Sequence, residues 1–154
     1  MTNVRPVAAA VLAAAAAAGC GSQASAPQPV AATPAAVTGY AVTVVRSQFG
    51  QILADGRGQA LYSFSRERGR ASRCYGACAK AWPPAPARGR ATARGARRGL
   101  VGATVRRDGS RQLTYAGHPV YLYVGDSPGR VLCHNVTEFG GVWRVIRADG
   151  TVVR

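Results

Sequence analysis

"GQALYSFSRERGRASRC" at residues 58–74 lies over "GHPVYLYVGDSPGRVLC" at residues 117–133 with a constant offset of 59. Gly58 matches Gly117, Tyr62 matches Tyr121, Phe64 matches Tyr123, Glu67 matches Asp126 and Cys74 matches Cys133. Each copy runs on to a tryptophan, Trp82 or Trp143, the second after two extra residues. Two copies are too few for a solenoid or a propeller. They predict one small domain in which two related halves pack pseudo-symmetrically.

Residues two apart share a strand face, so Tyr62 and Phe64 project together, as do Tyr121 and Tyr123. Those pairs can supply the centre of a small core. Glu67 and Asp126 fall just beyond the strand ends, where a carboxylate can accept backbone N–H groups in a turn or meet an arginine. The functional alternative is an aromatic ligand-binding face with an acidic rim, since tyrosine carries the polar handle such sites use. Around the copies, "YAVTVVRS" (40–47), "GLVGATVR" (99–106), "RQLTYA" (111–116), "GVWRVIR" (141–147) and "TVVR" (151–154) are short and β-branched. Asp-Gly turn signals stand at 55-56, 108-109 and 149-150. A short helical turn is expected at "ACAKAW" (77–82). The expected fold is all-β, a small single domain of two pseudo-symmetric β-hairpin repeats.

The N-terminus places this domain. "MTNVRPVAAAVLAAAAAAGC" (1–20) has a basic start, an apolar run too short to span a bilayer, and a small-residue exit. That is the layout of a secretory signal peptide over residues 1–19. Its end, "AAGC", resembles a bacterial lipobox, which implies lipid on Cys20, although Ala17 stands where such signals usually carry leucine. A competing small-residue site, Ala24-Ser25-Ala26, is followed by Pro27, which hinders ordinary cleavage. Residues 20–39 are Ala/Pro-rich, uncharged and without apolar bulk, and read as a disordered tether. A multiply acylated N-terminus would anchor such a tether stably to a membrane. The folded part then covers 40–154: repeat one about 40–85, an Arg/Gly-rich linker about 86–99, and repeat two about 100–154. A chain of that size buries roughly two thirds of its surface.

The formal net charge is +14, and of the 20 basic residues only Lys80 is not arginine. "ARGRATARGARRG" (87–99) holds five arginines and no apolar residue larger than alanine. Such a segment binds polyanions by counterion release. No aromatic interleaves it, so base stacking is unsupported and no specific nucleic acid is expected. Outside the cytoplasm the expected partners are the membrane, through the lipid anchor, and anionic envelope polymers or headgroups, through the arginines.

The repeats, with "CYGACAKAWPP" (74–84), "DGSRQLTYAGHPVYLY" (108–123) and "FGGVWRVI" (139–146), resemble in order the bacterial secreted-repeat lipoproteins with the Yx(FWY)xxD motif. The resemblance covers about Phe49 to Gly150. It implies an exported envelope protein built of paired repeats, and it implies little about activity. Glu67 replaces the first aspartate of the motif, the inter-repeat segment is unusually arginine-rich, and Cys133 falls where the second repeat usually lacks cysteine.

With Cys20 assigned to lipid, Cys74, Cys78 and Cys133 allow three pairings, and a disulfide is the default outside the cytosol. Loop entropy favours 74 with 133, at roughly 4 kcal/mol against about 2 for 74 with 78. Positions i and i+4 cannot bridge in a regular helix, but Gly76 lets "CYGAC" bend into a tight loop. The family resemblance implies the Cys74–Cys78 pair, with Cys133 buried or spare. Redox chemistry favours Cys-x-x-Cys, one residue shorter than this spacing. A metal centre would draw on Cys74, Cys78, Cys133, His118 and His134, without a recognised ligand spacing. No metal, cofactor or catalytic residue is assigned. Asp55, Asp108 and Asp149 belong to turns, leaving Glu67, Asp126 and Glu138, and no hydrolase elbow or phosphate loop is present. The expected function is that of an exported, lipid-anchored envelope protein, a non-enzymatic binding or structural module. The alternative is an extracytoplasmic thiol-redox or metal-binding protein.

Overall fold

Short β-branched runs joined by tight turns build most of the computed structural model, which describes residues 39–154. The elements in chain order are β1 (Ala41–Ser47), β2 (Gly50–Asp55), β3 (Tyr62–Phe64), α1 (Ala77–Ala81), β4 (Thr92–Arg94), β5 (Val101–Val105), β6 (Arg111–Tyr115), β7 (His118–Pro119), β8 (Val136–Glu138) and β9 (Gly141–Val145). They form three sheets, ordered β2-β1-β4, β3-β9-β8 and β5-β6-β7. The fold is all-β with two repeats, and its one α-helix among the described residues lies in the expected "ACAKAW" segment. The signal peptide, Cys20 and most of the tether lie outside the described residues. Among those described, no helix is long and apolar enough to cross a membrane.

Each repeat opens with a hairpin. β1 pairs antiparallel with β2, closing where Ser47 faces Gly50. β5 pairs antiparallel with β6 across the Asp108-Gly109 turn, and β6 continues through Ala116-Gly117 into β7. Ala116 and Gly117 take φ of 48° and 82°, the two successive positive values of a hairpin turn that suits strand twist. All three Asp-Gly aspartates close their own turns: Oδ1 of Asp55, Asp108 and Asp149 accepts the amides of Arg57, Ser110 and Thr151 respectively.

The repeats then interlock. Tyr62 and Tyr121, equivalent positions of the two copies, exchange a pair of backbone hydrogen bonds at 2.9 and 3.0 Å. A pseudo-twofold axis therefore passes between them. On its other edge, β3 pairs with β9 of the second repeat, Tyr62 opposite Val145 and Phe64 opposite Trp143. The equivalent residues of the second copy pair with the first: Tyr121 bridges Pro84, and the Leu122 and Val124 amides donate to the Pro83 and Ala81 carbonyls. Likewise the Leu53 amide donates to Ile146 O and the Leu113 amide to Ala85 O. Each repeat is thus completed by the segment that carries the other repeat's tryptophan, β9 in one direction and residues 81–85 in the other.

Where strands alternate, consecutive residues enter different cores. Ile52, Tyr62, Tyr121 and Val145 join one buried cluster, while their neighbours Leu53, Leu61, Leu122 and Ile146 join another. The strands at the axis are buried on both faces, which accounts for the unbroken apolar "VYLY". The first cluster centres on a column of four rings. Phe64 stacks on Trp143 at 4.1 Å, Trp143 on Trp82 at 4.1 Å, and Trp82 meets Tyr123 at 4.6 Å. Tyr62 and Tyr121 pack edge-on against Trp82 and Trp143. The column repeats the axis, because each tryptophan stacks on its counterpart and packs against the third motif residue of the other copy.

Candidate functional site

The motif residues meet across the axis. Tyr62 donates its hydroxyl to Asp126 Oδ2 at 2.5 Å, and Tyr121 donates its hydroxyl to Glu67 Oε1. Each repeat's first motif tyrosine thus serves the other repeat's carboxylate. Each carboxylate also closes its own loop: Glu67 Oε1 accepts the Arg73 amide at 3.1 Å, and Asp126 Oδ1 accepts the Leu132 amide at 2.9 Å. At the loop necks the Glu67 amide donates to Phe64 O and the Asp126 amide to Tyr123 O. The spacing Y-x-[FWY]-x-x-D is therefore a joint. Positions one and three fill the core, and position six turns the chain and receives the opposite tyrosine. Glu67 performs the aspartate's role with one more methylene.

Burial governs the electrostatics here. It pushes the hydroxyl of Tyr62 far above its ordinary value, helped by Asp126, and that of Tyr121 up to about 12, helped by Glu67. Burial also lifts both Glu67 and Asp126 above the usual carboxylate range, against the lowering effect of their hydrogen bonds. Glu67 Oε2 is buried without a hydrogen-bond partner. Tyr62, Tyr121, Trp82 and Trp143 are fully buried, so they fill a core and leave no aromatic cleft between them.

Glu138 is engaged as well. Its Oε2 accepts Trp82 Nε1–H at 2.7 Å, and its backbone oxygen accepts Trp143 Nε1–H at 3.2 Å. This one residue at the end of β8 satisfies both indoles of the central column. All six carboxylates of the chain thus hold turns, tyrosines or a tryptophan.

Cys74 and Cys78 form a disulfide with Cα atoms 5.2 Å apart, and Gly76 inside the loop takes a φ of 57°. Both half-cystines are buried. Cys133 is a free, half-buried thiol beside the Tyr123 hydroxyl, whose pKa it raises. His134 Nδ1 accepts the Val145 amide at 3.3 Å and its ring packs on Phe49, while His118 stands exposed on β7. Burial, with Arg144 and Arg147, lowers the pKa of His134. Among the described residues no three His, Cys, Asp or Glu side chains are grouped to hold a metal ion.

The arginines divide into two kinds. Arg106 is buried: its Nη1 donates to Ser72 Oγ and Gln112 Oε1, and its Nη2 to Cys74 O, all at 2.6 Å. One fixed charge among many arginines carries no sequence signal, and its role was not legible beforehand. The others are mostly exposed. Arg88, Arg90, Arg94, Arg97 and Arg98 all lie at the surface, on a segment that β4 docks in parallel against β1. Arg98 donates back to the Ala91 carbonyl, folding the segment on itself. Arg88 and Arg111 also border an open groove of about 760 Å³ walled by Pro84 and Pro86. Among the described residues the ion pairs are Arg57–Asp55 at 3.1 Å and Arg106–Asp108 at 3.5 Å. The five surface arginines take part in neither.

A family model described as a secreted repeat of unknown function matches this chain twice, over residues 43–86 and 102–147. No curated protein and no solved structure matches it.

Proposed function

The chain belongs to the family of the secreted repeat of unknown function (Lipoprotein_15), and on that premise we propose that it is an exported, lipid-anchored, non-enzymatic binding module of the cell envelope. The family's secreted character puts the domain outside the cytoplasm. The "AAGC" exit supports lipid on Cys20, residues 20–39 serve as its tether, and the β domain follows from residue 40. The ligand class is an anionic envelope polymer, held by the arginines of 87–99.

One contrast carries this reading. Every carboxylate is committed to the fold, whereas the arginines of 87–99 face solvent and form none of the ion pairs among the described residues, although the Arg97 charge reaches Asp149. Acidic groups that could do proton chemistry are consumed, and cationic groups that could hold a polyanion are displayed. The buried disulfide supports a structural clip, since exchange requires an attacking thiolate to reach sulfur.

Two experiments test the proposal. Metabolic labelling with a fatty acid is expected to mark the protein and to fail in Cys20→Ser; label that persists in the variant, or never appears, overturns the anchor. For binding, the purified protein is titrated with a soluble phosphodiester polymer over a range of salt. Affinity is expected to fall linearly on a log–log scale as counterion release requires. Replacing Arg88, Arg90, Arg94, Arg97 and Arg98 together by Gln is expected to remove it. Binding that ignores salt or survives the substitutions counts against the polymer, and binding confined to anionic vesicles would reassign the surface to headgroups.

A further inference from the structure

Away from the 87–99 segment, a second group of arginines surrounds a small cavity. It measures about 260 Å³ and is lined by Arg66, Ala71, Ser72, Arg73, Tyr75 and Arg107. Three arginines share it, Arg66 with its Nη1 donating to Phe139 O at 3.4 Å, and none of its lining residues is acidic. Arg66, Arg73 and Arg107 take part in neither of the ion pairs among the described residues. Two acids neighbour these arginines without forming an ion pair with them. Glu67 is buried, accepts the Tyr121 hydroxyl and the Arg73 amide, and feels the Arg73 charge, while Asp108 is held by Ser110 and by Arg106 Nε.

The wall of the cavity is built rather than loose. Tyr75 sits inside the Cys74–Cys78 loop, with the Arg106 guanidinium 4.4 Å and the Arg107 guanidinium 4.1 Å from its ring centroid. Its hydroxyl accepts the Arg107 amide at 3.0 Å. Buried Arg106 ties this loop to Ser72 and to the Cys74 carbonyl. The aromatic face holds Arg107 by a cation–π contact, so part of the ordering cost is met before any ligand arrives. Positive charges that outnumber the neighbouring carboxylates repel one another, and an anion relieves that repulsion. The guanidinium fork fits the oxygens of phosphate bidentately, and several forks favour a group with more than one anionic oxygen.

We propose that the cavity framed by Arg66, Arg73, Arg107 and Tyr75 is a binding site for a phosphate-type oxyanion. It is independent of the 87–99 surface, because none of its residues lies there. A terminal phosphate, a phosphodiester unit of a polymer or a lipid headgroup all present the same chemistry.

Isothermal titration of the purified protein with inorganic phosphate and with pyrophosphate at low salt tests this. Saturable binding at one site is expected, with pyrophosphate the tighter ligand. Arg73→Gln and Arg107→Gln should each weaken it about tenfold and together abolish it, while Arg46→Gln, outside both arginine groups, leaves it unchanged. These positions are exposed, and unaltered circular dichroism and thermal midpoints would show that the variants remain folded. Tyr75→Leu, which removes the ring under Arg107, should weaken binding in the same direction. Equal binding by the Arg73/Arg107 double variant, or no saturable binding of either ion, overturns the site. Glycerol phosphate competing in solution identifies a soluble phosphate source, and competition only by phospholipid vesicles identifies a headgroup. A 73/107 variant that keeps polymer binding but loses phosphate would separate this site from the surface arginines of the proposed function.

Discussion

Tyr121 joins more of the molecule than any single spacing in the chain suggests. Its hydroxyl donates to Glu67 and lies 2.8 Å from Ser72 Oγ, which Arg106 also contacts. Removing one member of a buried hydrogen-bonded set leaves the others undersatisfied at about 1–3 kcal/mol. Tyr121→Phe is therefore expected to lose about 2 kcal/mol in urea unfolding, a change that Tyr123→Phe, at a half-exposed hydroxyl, should not reproduce. Glu67 gives a pH signature. Burial holds its folded pKa above the ordinary 4.5 of a glutamate, so the native state keeps a proton that the unfolded chain has released. The resulting stabilisation is complete below the unfolded pKa and is lost as pH rises through the folded one. Glu67→Gln has no such proton. Relative to that variant, the parent protein should be more stable near pH 4 than at neutrality, and the reverse trend in paired unfolding curves would contradict it. At this scale the sharing of one strand face by Tyr62 and Phe64 is readable from i, i+2 spacing. The partner of each carboxylate is not, because it lies in the other copy, where no local rule reaches.

Elements were legible in proportion to how far their pattern was local. β1, β5, β6 and β9 are β-branched runs beside turn signals, and α1 follows the glycine-bent cysteine loop. "PVYLYV" reads as a strand, and beyond β7 it forms isolated bridges to Tyr62 on one edge and to Pro84 on the other. The Leu122 amide donates to Pro83 O and the Ala85 amide returns a bond to Val120 O, but Pro83 and Pro84 have no N–H, so the ladder stays short. β2, β4 and β8 were not anticipated. β4 lies within the arginine-rich segment, and "TAR" becomes a strand only because β1 has a free edge to receive it. The Cys74–Cys78 disulfide clips the loop that leads into α1. A loop this short restricts the unfolded chain by about 2 kcal/mol. The double variant Cys74→Ser/Cys78→Ser is expected to lose roughly that much. In the unmodified domain, denatured without reductant, a thiol reagent should label Cys133 and neither of the other two, and label on Cys74 or Cys78 would deny the bond.

The β domain is expected to unfold as one cooperative body: β2-β1-β4 and β5-β6-β7 each lie within one half, but the β3-β9-β8 sheet and the central rings draw on both copies. β3 needs β9, the Tyr121 segment needs Pro83 and Pro84, and the ring column takes two members from each copy. Fragments 40–99 and 100–154 are each expected to be unfolded alone by circular dichroism and to regain β-structure when mixed in equal amounts. A fragment that folds by itself would show that the copies are separable modules. The existence of two matched halves was plain from the 59-residue offset, since repetition is a property of the string. Their exchange of strands was hidden, because two hairpins side by side and two hairpins intertwined share the same local pattern.

The Tyr62–Tyr121 contact has an evolutionary corollary. A lone ancestral copy could have made the same handshake only with a second polypeptide, an encounter that weakens with dilution. Covalent fusion replaces that encounter with a local concentration set by the intervening chain. A domain that works outside the cytosol keeps its architecture however few copies are present.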